Sequence, residues 1–105
     1  MTYSEKLKDP RWQKKRLEVM QRDDWKCRDC GQKEKTLQVH HCFYEKEPWD
    51  APSDLLLTVC DQCHKSRQSL EDGARLMIGQ ISSKLTQGKL EEYLYRLACD
   101  VGGAA

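Results

Sequence analysis

Trp12, Val19 and Met20 fall on one helical stripe flanked by Leu17, in a segment that opens on Asp9-Pro10. Aspartate is a favoured N-cap and proline suits the first helical position, so a helix is predicted from there to about Arg22. The periodicity then changes. Thr36-Leu37-Gln38-Val39-His40 alternates in character and holds two β-branched residues, which predicts a short strand, and Leu55 to Val59 predicts a second. Between them, Glu47-Pro48-Trp49-Asp50-Ala51-Pro52-Ser53 carries two prolines and reads as an irregular connection rather than a tight hairpin. The segment from His64 to about Asp72 has helical composition.

Beyond Gly73 the apolar positions recur at helical spacing again. Ala74, Met77, Ile78, Ile81 and Leu85 form one stripe, Gln87-Gly88 reads as a stop, and Leu90, Tyr93, Leu94, Leu97, Ala98 and Val101 form a second. Two short antiparallel amphipathic helices are expected. They complete the core of a small domain or offer an apolar face to a protein partner or a second copy, and completion is the favoured expectation. The expected organisation is α+β: a first, zinc-bound unit over residues 1–73 and a C-terminal helical extension over 74–105 that packs on the same domain, with Gly102 to Ala105 disordered.

At 105 residues there is room for one domain with a modest core, the size at which a metal or disulfide staple is often needed. With 33% charged residues and a mean hydropathy of -0.86, the chain offers no apolar run near the roughly 20 residues that span a bilayer. The N-terminus lacks the apolar stretch of a secretory signal, which predicts a reducing cytoplasm for the six cysteines. Charge is uneven: residues 1–35 hold 11 Lys/Arg against 7 Asp/Glu, and residues 36–105 hold 7 against 10. The basic part, with its Lys14-Lys15-Arg16 run, is either a nucleic-acid face or a solvated helix face.

Candidate chemistry sits in Cys27-Arg28-Asp29-Cys30-Gly31, His40-His41 and Cys60-Asp61-Gln62-Cys63-His64. Two Cys-x-x-Cys pairs can close a tetrahedral zinc site, because each short loop turns two sulfurs toward one ion. In a reducing compartment this outweighs the disulfide reading. The set leaves His40, His41 and His64 for another task and suggests a second, catalytic metal centre. The plainer reading of the two strand histidines is packing against the zinc frame. Cys42 and Cys99 have no partner at ligand spacing and read as small buried side chains, and the three tryptophans read as core anchors.

Arg22-Asp23, Cys27-x-x-Cys30-Gly31, Val39-His40-His41 and Leu55 to Cys63-His64 together resemble the HNH endonuclease family, in its branch with a four-cysteine zinc site. The resemblance covers about Tyr3 to Gln68 and implies a small zinc-stapled ββα-metal domain that hydrolyses DNA phosphodiesters. It implies a structural zinc on Cys27, Cys30, Cys60 and Cys63. It also implies His41 as general base, with His40 and His64 as ligands of one catalytic divalent ion, Mg(II), Mn(II) or Ni(II).

An imidazole with a pKa near roughly 6.5 can take a proton from water at neutral pH, and a divalent ion acts as a Lewis acid on the phosphate and leaving oxygen. Adjacent strand residues point to opposite faces, so regular geometry does not aim His40 and His41 at one phosphate. The sequence also departs from the family, which usually places an asparagine where Asp54 stands. Asp54 then ligates the metal or polarises His41, or else marks a catalytically inactive, zinc-stabilised nucleic-acid-binding or interaction module. Arg28, Lys65 and Arg67 are candidate phosphate contacts beside Lys14, Lys15 and Arg16.

Overall fold

The first element of the computed structural model, which describes residues 1–101, was not flagged by hydrophobic patterning. The Glu5 amide donates to the Thr2 hydroxyl while the Thr2 amide donates to the Glu5 carboxylate. This reciprocal capping box starts α1 (Tyr3–Leu7). The expected disorder of Gly102 to Ala105 lies outside the described residues.

Helix α2 (Pro10–Arg22) starts where predicted, with the Asp9 carboxylate accepting from the Arg11 amide at 2.8 Å. Trp12, Val19 and Met20 are its buried residues, and Leu17 stays exposed. Strands β1 (Leu37–His41) and β2 (Leu56–Cys60) form an antiparallel pair in which Leu37 faces Cys60 and His41 faces Leu56. Each strand begins one residue later than its pattern suggested. On the β2 side the reason is visible: Leu55 is taken up by a 3₁₀ turn, Ser53–Leu55, that follows Pro52.

Trp12, Val19, Ala51 and Leu56 make one buried cluster, against which Leu7, Val39 and Trp49 pack. A second joins Cys27, Val59 and Cys60. The end of α2 is tied to β2 by a buried charge. Asp23 accepts from the Thr58 amide at 3.0 Å and from both ends of the Arg22 guanidinium at 2.9 Å. Arg22 also donates to the Ser53 and Leu56 carbonyls, each at 2.6 Å. Asp24 and Trp25 then adopt left-handed backbone, with φ of 62° and 54°, which turns the chain from α2 toward the first cysteine pair.

The chain divides into two compact units, Met1–Arg67 and the residues from Gln68 onward. Residue 73, where the sequence pattern changes, lies inside one continuous helix, α3 (Asp61–Ser82). A glycine in a helix interior costs about 1 kcal/mol, too little to end a helix of this length. Gln87-Gly88 is not a stop either. Helix α4 (Gln87–Asp100) begins there, because the Thr86 hydroxyl accepts from the Lys89 amide as an N-cap. Neither α3 nor α4 contains a buried residue. No helix among the described residues is long and apolar enough to cross a membrane.

Candidate functional site

Three elements bring the four cysteines together. Cys27 and Cys30 sit in the loop after α2, where Gly31 supplies a positive φ of 79°; Cys60 ends β2; and Cys63 lies in the first turn of α3. Their four sulfurs all lie within 4.8 Å of one another, and Cys30 Sγ is 3.8 Å from Cys60 Sγ. A tetrahedral zinc with bonds of about 2.3 Å requires sulfurs about 3.8 Å apart, so the set fits the ion. None of the six cysteines is in a disulfide.

The local electrostatics agree. Burial pushes the Cys27 thiol up, but amides that donate to it, Cys30 among them at 3.4 Å, overrule this and bring it down to about 6. Cys63 is pushed up to about 12 by its hydrogen bond to Cys60 and by burial. Four sulfurs this close cannot all be thiolates unless a cation sits among them, a charge that a zinc ion could supply.

The strand alternation sends the two adjacent histidines to different surroundings. His40, fully buried, meets His64 edge to face with ring centroids 5.1 Å apart. His41, also buried, is stacked between Trp12 at 4.8 Å and Tyr44 at 5.3 Å. Its Nε2 is 3.5 Å from the Pro48 carbonyl oxygen. A carbonyl only accepts, so this long contact favours the tautomer with hydrogen on Nε2, in which Nδ1 is the basic nitrogen. Burial holds the His41 pKa below its ordinary value, and the charges of His40 and Lys15 push the same way, against the Pro48 contact.

His41 and His64 nevertheless line one cavity of about 320 Å³, together with Tyr3, Trp12, Arg16 and Tyr44. Leu37, Gln38 and Val39 line it too, so it runs along β1, whose outer edge is unpaired in the two-stranded sheet.

The basic candidates separate. Arg16 lines the cavity, Lys15 acts electrostatically on His41, and Lys14 is exposed on α2. Arg67 makes a two-pronged bond to Asp29, 2.7 Å at its second contact, and holds that carboxyl below the usual range. It therefore braces the Cys27–Cys30 loop against α3. Arg28 lies 3.9 Å from Asp23, and Lys65 is exposed.

Asp54 is not grouped with any histidine, nor with any other residue, as a potential metal donor among the described residues. It is exposed in the 3₁₀ turn, where its charge acts on Arg22. Trp25 is 47% exposed and so does not anchor a core, unlike Trp12 at 5%. Cys42, read from the sequence as a small buried side chain, is half-buried with its sulfur within 4.8 Å of a His40 ring nitrogen. Its place two residues after His40 was the available signal, because extended residues two apart share a face. Arg22-Asp23 was part of the motif that carried the resemblance, but the role of Asp23 as a buried clamp was not read from it, because its partner Thr58 is distant in sequence. The chain matches no family model, no curated protein and no solved structure.

Proposed function

We propose that the chain is a metal-dependent endonuclease of the HNH type, hydrolysing DNA phosphodiesters with His41 as general base. The setting of His41 carries this reading. Two aromatic rings hold its plane, the Pro48 carbonyl favours hydrogen on Nε2, and burial favours the neutral ring, which together prepare Nδ1 to take a proton from water. A histidine needed only for packing gains nothing from a favoured tautomer and a share of a cavity.

The adjoining His40 and His64 would hold the catalytic divalent ion, Mg(II), Mn(II) or Ni(II), and neutral imidazole suits the later metals of that set best. When bound, the ion supplies Lewis acidity to the phosphate. Arg16, in the same cavity, supplies a positive charge for the phosphodiester, and Lys15 adds to the field. The four-cysteine zinc holds the frame on which these groups stand.

Plasmid nicking with each of the three metals tests the proposal. Wild-type protein is expected to nick, and His41→Ala to be slower by about 100-fold to 10,000-fold at a temperature where both are folded. No nicking by the wild type with any of the metals sinks the enzymatic reading. One observation favours a second reading, a zinc-stabilised nucleic-acid-binding module without catalysis: Asp54, at the position the family fills with asparagine, acts on Arg22 and joins no group of potential metal donors among the described residues. Binding without nicking is its signature.

A further inference from the structure

Trp12, His41 and Tyr44 form a column of three flat rings, with interplanar angles of 27° and 15° along it. The two ends differ. Trp12 closes the column in the core at 5% exposure, whereas Tyr44 ends it at 46% exposure. One face of Tyr44 is covered by His41 while the residue stays half-exposed, and all three rings line a cavity of about 320 Å³ that runs beside the column. Tyr3, itself 45% exposed, lines the same cavity.

Arg16 adds a held cation. Its guanidinium donates to Gln13 Oε1 at 3.0 Å and meets the Met20 sulfur at 3.5 Å, both uncharged partners. Among the described residues no carboxylate lies within ion-pair distance of it. An aromatic face, a second aromatic wall and an uncompensated guanidinium around a space at the small end of ligand pockets, roughly 300–1,000 Å³, match one base with its phosphate.

We propose that a single unpaired nucleobase binds at the mouth of this cavity, stacked on the exposed side of Tyr44, with Arg16 on the adjoining phosphate. A base inside a duplex is covered on both faces by its neighbours and offers only its edges, so it cannot extend the column. The preferred substrate is therefore a single strand or a duplex opened at a mismatch, gap or frayed end. The inference rests on the nucleic-acid reading above but not on cleavage.

The test is fluorescence of a short DNA strand carrying one 2-aminopurine, titrated with zinc-loaded protein without added divalent ion. Stacking on Tyr44 is expected to quench the probe with wild type and Tyr44→Phe. Tyr44→Leu, at an exposed position, is expected to lose the quenching and bind about 10-fold more weakly. Arg16→Gln is expected to weaken binding and reduce its salt dependence while keeping the quenching. A matched blunt duplex is expected to bind more weakly than the strand. Quenching by Tyr44→Leu equal to wild type, or a duplex that binds as tightly as the strand, overturns the inference. Cleavage with added Mg(II) but no Tyr44-dependent quenching counts against this inference alone. Tyr44-dependent quenching with no cleavage counts against the nuclease reading alone.

Discussion

The two compact units differ in where their apolar side chains go. Among the described residues, every buried one lies between Trp12 and Cys60, in the unit that ends at Arg67. From Gln68 onward none is buried, and Leu70, Leu76, Met77 and Tyr95 are each at least 60% exposed. Both units have clear apolar periodicity, so periodicity alone does not make a core. In the first unit the stripe of α2 has a sheet to cover it, and the sulfur cluster closes the remaining side. In the second, helix formation draws on local devices, the Thr86 cap and the Glu92–Arg96 pair at 2.9 Å, the latter worth about 0.3–0.5 kcal/mol. Its apolar positions stay available to a second copy or another protein.

Removing zinc should produce the largest effect and strike the first unit. Structural zinc contributes about 10–16 kcal/mol in small domains, so Cys60→Ser is expected to lose the ion and the cooperative thermal transition together. A variant that lacks zinc but melts like wild type breaks the contrast, because the first unit would then be held by its apolar core alone.

At His41 the chemistry and the packing of that unit meet. Because the ring is buried between Trp12 and Tyr44, His41→Ala should also lower stability, by about 2 kcal/mol or more, in addition to its effect on rate. The base works in its neutral form, and burial lowers its pKa from 6.5, so the acid limb of nicking should fall below pH 6.5. A pH profile of single-turnover nicking with its limb above that value removes His41 from the role.

A smaller effect is expected at the buried clamp. Asp23→Asn keeps the shape but removes the charge that Arg22 and the Thr58 amide share, which should cost about 1.5–3 kcal/mol by denaturant melting. Asp54→Asn, on the exposed side of the same arginine, is expected to leave both melting and the metal concentration for half-maximal nicking unchanged. A raised metal requirement would restore Asp54 to the site. The smallest change is predicted in the second unit: Leu76→Lys, at a position 65% exposed, should shift stability by no more than about 0.5 kcal/mol. Loss of the transition there would reveal a core that the comparison denies.

Local chemistry was enough to read much of this protein from its residues. The α2 stripe of Trp12, Val19 and Met20, the Asp9 cap, two strands and the four zinc-competent cysteines all rest on short-range spacing, which the chain displays directly. The Thr2–Glu5 capping box was equally local and available. What needed the tertiary structure is whatever depends on which distant residue arrives: Thr58 at Asp23, Arg22 at Asp54, Asp29 at Arg67, and Trp12 with Tyr44 on the two faces of His41. Burial is likewise a property of neighbours. Leu76 and Leu56 are the same residue in sequence, and only the packing leaves one 65% exposed and the other fully buried.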